Sequence, residues 1–105
     1  MKVVMQGRNN NHYAVGNYDT NDGSLTVYKG SRVSKKISQT KSFRGIYSVN
    51  KYRNMYVDNF VTTEDVKFKS PSTAANFISG GSTNGLLVWK TESGISLKKF
   101  LEENK

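Results

Sequence analysis

A chain of 105 residues can bury one hydrophobic core but not two, so a single domain spanning 1–105 is expected. It has no cysteine, which excludes disulfides, thiolate zinc sites and cysteine nucleophiles. Sixteen Lys and Arg against eight Asp and Glu give a net charge of +8, and a 35% hydrophobic content with nine glycines belongs to globular rather than disordered chains.

The placement of the charge carries more information than its size. Residues 1–56 hold ten basic and two acidic side chains, while 57–105 hold six of each and sum to zero. From Lys29 to Arg53 there are eight basic residues and no acid. Such a block is either a plain solvated surface or a face for a polyanion, and nucleic acid is the commonest polyanion a basic domain meets. The longest continuous apolar run is Leu86 to Trp89, far too short for a membrane span or a signal peptide, so a cytoplasmic protein is expected.

In chain order, Val3 to Met5 is expected as a short strand and His12 to Tyr18 as a second, with Tyr13 and Val15 on one face. Asp19 to Ser24 is a dense turn signal, and Leu25 to Tyr28 alternates like a half-buried return strand. Lys29-Gly30-Ser31-Arg32 comes directly after it; a glycine between basic and hydroxyl residues at a strand end can offer backbone N–H groups to an anion, although for an isolated Lys-Gly-Ser an ordinary turn is the favoured reading. Val33 to Thr40, with Lys35 and Lys36 adjacent, is expected as an exposed basic loop. Ser42 can cap a helix to about Arg53 that buries Phe43, Ile46 and Tyr47 and turns Lys41, Arg44, Ser48 and Lys51 outward. Gly45 weakens that helix, and Tyr47, Val49 and Lys51 could alternate in a strand instead. Met55 to Val61 and Val66 to Phe68 are expected as two strands, which could pair as a hairpin.

The strongest local signal lies between Ser70 and Lys90. Ser70 is an N-cap, Pro71 suits the first helical position, and Ala74, Ala75 and Ile78 give a narrow apolar face ending at Gly80. Asn84-Gly85 marks a tight turn, and Leu86 to Trp89 has the two-sided apolar pattern of a fully buried strand. Ser96 caps a last helix with Leu97, Phe100 and Leu101 inward and Lys98 and Lys99 outward. Together these predict an α+β fold: a small single domain with an antiparallel sheet of about five short strands and two or three helices packed on it.

The run S-P-S-T-A-A-N-F-I-S-G-G-S-T-N-G-L-L-V-W-K resembles the signature of the family called domain of unknown function 4357. Val27 to Ser31 and Gly94 to Leu97 are similar to its other elements, so the resemblance spans about Gly16 to Leu101. In that light Ser70, Pro71, Ala74, Ala75, Gly80, Asn84, Gly85 and Trp89 form a structural motif. The resemblance implies a small α+β module that accompanies restriction, methylation or nuclease components of bacteria and phages. It extends to the restriction enzyme adenine methylase associated (RAMA) domain, for which binding of modified DNA has been proposed. The chain departs from the pattern at Leu86, where the family commonly has Trp, leaving Trp89 as the only indole.

The expected function is therefore a non-catalytic nucleic-acid-binding module, with DNA favoured and no cofactor or metal. Its contacts are expected from Lys29, Gly30, Ser31, Arg32, Lys35, Lys36, Lys41, Arg44, Lys51 and Lys90. The alternative is a small phage or mobile-element protein that docks on a host defence nuclease complex. An enzyme is the weakest reading: His12 is the only histidine, is expected at the surface, and has no cysteine or acidic cluster beside it. Tyr13, Tyr28 and Tyr47 fit core and sheet positions better than base-stacking platforms, while Tyr18, Tyr52 and Tyr56 stay open.

Overall fold

The computed structural model describes residues 1–37 and 45–104. Five antiparallel strands, β1 (Lys2–Gln6), β2 (Tyr13–Tyr18), β3 (Leu25–Val27), β6 (Val66–Phe68) and β7 (Lys90–Thr91), form one sheet in the order β6-β3-β2-β1-β7. Two further short strands, β4 (Val57–Asp58) and β5 (Val61–Thr62), pair as a separate hairpin. The described helices are α1 (Ile46–Tyr56), α2 (Pro71–Ser79), a single turn α3 (Gly85–Val88) and α4 (Leu97–Glu103). The fold is α+β, as the sequence predicts.

Register explains the core. Val3 lies opposite Gly16, Met5 opposite Ala14, Tyr18 opposite Leu25, Leu25 opposite Phe68 and Val27 opposite Val66, so these side chains share one face. That face is buried together with Ala74, Ala75, Phe77 and Ile78 of α2 and with Trp89 and Leu97. The inward residues of β2 are thus Ala14, Gly16 and Tyr18, and Tyr13 and Val15 share the opposite face. The helix α2 packs against β2, β3 and β6.

The helix α2 begins and ends as its sequence dictates. The Thr73 N–H donates to Ser70 Oγ at 3.2 Å, Pro71 fills the first turn, and Gly80 closes the helix at φ 78°. The next apolar run departs from expectation. Leu86 to Trp89 is not a buried strand: Asn84 caps the one-turn helix α3 by accepting the Leu86 N–H at 3.1 Å, and Leu87 is exposed. Only Lys90 and Thr91 join the sheet, beside β1. The physical reason is a close approach. Gly85 donates its N–H to Ser72 Oγ at 3.0 Å, and a Cβ on Gly85 would stand 2.1 Å from the Pro71 carbonyl carbon. The Trp89 ring, fully buried, completes the join by donating its Nε1–H to the Pro71 carbonyl oxygen at 3.1 Å. The motif residues thus form one packing unit.

A second difference concerns Met55 to Val61. The helix α1 runs on to Tyr56 rather than ending at Arg53, with Tyr52 and Tyr56 stacked one turn apart at 6.0 Å. The strand is reduced to the two residues on either side of the Asn59-Phe60 turn. The predicted start of that helix at Ser42 lies outside the described residues. Of the tyrosines expected inside, Tyr13, Tyr28 and Tyr47 are exposed, and Tyr47 is 79% so, while Tyr18 is buried.

Candidate nucleic-acid interface

The sequence predicts a turn and a loose loop from Lys29 to Lys36, yet the segment is tied down on three sides. Arg32 and Tyr13 exchange backbone hydrogen bonds (2.7 and 3.0 Å), the Val33 N–H donates to the Phe60 carbonyl (2.9 Å), and the Ser34 N–H donates to the Ile78 carbonyl (2.8 Å). Ser31, Val33 and Ser34 are buried, whereas Arg32, Lys35 and Lys36 are exposed. Three cations are held outward on a fixed backbone.

The neutral donors expected of Gly30 and Ser31 are engaged inside the fold. The Gly30 N–H donates to the Thr62 carbonyl at 3.0 Å and the Ser31 N–H to Thr62 Oγ1 at 2.9 Å. Ser31 Oγ donates to the Tyr28 carbonyl at 2.9 Å and the residue is 4% exposed. Such groups are pinned by the penalty of leaving a buried polar atom unpaired. Lys29 is exposed, but its N–H donates to Asp65 Oδ1 at 2.8 Å, so a stretch free of acid in sequence has a carboxylate beside it in space.

Arg53 is a structural cation. It is buried and lies at the C-terminal end of α2, where Nε donates to the Phe77 carbonyl (2.9 Å), Nη2 to the Ile78 carbonyl (3.1 Å) and Nη1 to the Ser34 carbonyl (2.9 Å). A cation at that helix end meets the negative end of the helix dipole. Burial lowers its pKa to about 10, which still leaves it charged at neutral pH.

His12 is not at the surface. It is 9% exposed, its Nδ1 has no hydrogen-bond partner among the described residues, and a Cβ on Gly7 would fall 2.4 Å from its ring. Burial first, then the positive charges of Arg53 and Arg32, push its pKa below the ordinary value, favouring the neutral ring.

Two grooves flank the 3₁₀ turn Arg8–Asn10 that comes after β1. One, of about 340 Å³, is lined by Asn10, Asn11, Arg32, Val33, Lys35 and Phe60 and has no acid in its walls. Within it, Arg32 Nη2 donates to the Asn10 carbonyl at 2.7 Å, and Lys35 Nζ stands 6.0 Å from the centroid of the Phe60 ring. The other groove includes Arg8 and Lys90 but also Glu92. Lys51 is exposed on α1, apart from both grooves. Lys41 and Arg44 lie outside the described residues.

Sequence reasoning anticipates Arg32 and Lys35 but misses Arg8, Asn10, Asn11 and Phe60. Arg8 and the asparagines sit in a polar run that reads only as a turn. Phe60 reads as part of a strand, and only the tight hairpin brings it beside Lys35.

A family model described as Domain of unknown function (DUF4357) matches residues 5–101. The chain belongs to this family. The matched span contains the whole Ser70-to-Trp89 packing unit and the Lys29-to-Lys36 segment, and of the named elements omits only the first residues of β1 and the end of α4. No curated protein and no solved structure matches the chain. No helix among the described residues is long and apolar enough to cross a membrane.

Proposed function

We propose that this chain is a non-catalytic nucleic-acid-binding module, with DNA the favoured ligand, that works beside restriction-modification or mobile-element components. The observation that carries the proposal is the acid-free groove where Arg32 and Lys35 project from a hydrogen-bonded segment next to Asn10, Asn11 and Phe60. Arg8 and Lys90, both exposed, line the neighbouring groove together with Glu92, and Lys36 is exposed next to Lys35 in sequence. The affiliation with restriction and methylation systems rests on the resemblance to the RAMA domain read from the sequence, and the burial of His12 supports a binding role over acid–base chemistry.

Contacts of this kind position a protein on phosphates without reading sequence. Five phosphate contacts, from Arg8, Arg32, Lys35, Lys36 and Lys90, give a slope of log affinity against log salt of about −3.5 on single strands and −4.5 on duplex. Fluorescence anisotropy with labelled oligonucleotides at several salt concentrations tests this. A salt-independent signal, or none with any DNA or RNA, removes the proposal.

A second reading, docking on a defence nuclease complex, draws on the outer face of α1, where Tyr47 and Met55 are 79% and 57% exposed on either side of Lys51. Pull-down after nuclease treatment separates the two. Partners that survive treatment favour docking, and partners lost with the nucleic acid favour the first reading.

A further inference from the structure

The Asn59-Phe60 turn is built against the preferences of one of its residues. Both positions have positive φ, 52° and 64°, which a two-residue hairpin loop requires. Asn tolerates that conformation; a bulky aromatic residue is a real outlier there, and glycine would fit without strain. The turn is nonetheless fixed, because the Phe60 carbonyl accepts the Val33 N–H at 2.9 Å and Val61 bridges to Arg32. A strained position retained at the mouth of a groove points to a use for the side chain rather than the backbone. The ring is 39% exposed.

Resting on the nucleic-acid reading above, we propose that Phe60 is a stacking platform for one unpaired base of a single-stranded nucleic acid, with Lys35 and Arg32 holding its flanking phosphates. The neighbouring chemistry suits that ligand. Lys35 Nζ lies over the ring, 6.0 Å from its centroid, on a flexible exposed side chain that reaches a flanking phosphate by moving aside when a base takes that face. Arg32 is oriented by its bond to the Asn10 carbonyl, and Asn11 supplies an exposed amide at the groove wall for a base edge. The 340 Å³ of the groove is at the lower end of sites that accept small planar ligands. In a duplex every base face is covered by its neighbours. A ring at a hairpin tip therefore reaches a base face only where the strand is open.

The test uses Phe60→Gly, which removes the ring while relaxing the turn, and Phe60→Trp, which keeps an aromatic platform. Because Trp89 is fully buried, Phe60→Trp also adds the chain's only exposed indole. The probes are labelled oligo-dT, oligo-U, an abasic phosphodiester strand and a blunt duplex. The expected result is that Phe60→Gly binds oligo-dT or oligo-U about tenfold more weakly than wild type, with the salt slope unchanged. Abasic strand and duplex should bind both proteins alike, and the new indole of Phe60→Trp should be quenched on binding. Whichever of oligo-dT and oligo-U is held more tightly identifies the natural strand chemistry. Salt-dependent binding that is indifferent to Phe60→Gly, or an indole that stays unquenched, overturns the stacking site alone. No salt-dependent binding of any strand by wild type overturns both proposals.

Discussion

At the scale of single residues, two buried groups dominate the behaviour. Arg53 supplies donors to three carbonyls that otherwise face the interior at the end of α2. Arg53→Met should therefore cost about 3 kcal/mol in urea denaturation, since it removes the bonds to the Phe77 and Ser34 carbonyls, while the Ile78 carbonyl keeps the Ser34 N–H. Its effect on the salt slope of oligonucleotide binding should be negligible. His12 makes stability depend on pH. Its pKa is lowered in the folded chain from 6.5, so the unfolded chain binds the proton more readily. Stability is full above about pH 6.5 and is lost as pH falls through that value toward the lower folded pKa. The groups acting on it are Arg53 and Arg32, both positive, so no neighbour offsets the loss. A melting-temperature series from pH 7.5 to 5 should decline in wild type and flatten in His12→Gln. Asp22 acts in a separate window: bonds from Ser24, with Lys67 nearby, hold its carboxyl below the ordinary 3.8, so its contribution fades only as pH falls past that value.

At the scale of elements, what could be read from the sequence was what depends on near neighbours. Ser70, Pro71 and Gly80 bound α2 because caps act within a few residues, and Ser96 caps α4 for the same reason, accepting the Lys99 N–H at 3.2 Å. Leu86 to Trp89 misleads because a short apolar run has no period that separates a strand from one helical turn. The deciding groups are distant in sequence: the Pro71 carbonyl that takes the Trp89 indole, and Ser72 that takes the Gly85 N–H. Met55 to Val61 misleads because its β-rich composition conceals a helix end and a two-residue turn. The basic face is legible as charge but not as geometry, since only the fold engages Gly30 and Ser31 internally and places Asp65 beside Lys29. The join between α2 and α3 is accordingly a sensitive point. Gly85→Ala, with its Cβ driven into the backbone at Pro71, should lower stability by about 3 kcal/mol in the same denaturation assay. Trp89→Phe should cost about 2 kcal/mol or more by leaving the Pro71 carbonyl unpaired and a void beside it.

At the scale of the whole molecule, one sheet with helices packed on it forms the core, and Arg8, Arg32, Lys35 and Lys36 are among the exposed cations of the described residues. The +8 balance alone predicts attraction to any polyanion, and the proposed reading assigns that attraction to Arg8, Arg32, Lys35, Lys36 and Lys90. The central claim is that these cations bind nucleic acid through phosphates. It is tested most directly by comparing the salt dependence of oligonucleotide affinity in wild type and in Lys35→Gln/Lys36→Gln. Two lost contacts should reduce the slope by about 1.4 to 1.8 and weaken all sequences equally. An unchanged slope, or a loss confined to particular sequences, would contradict the account.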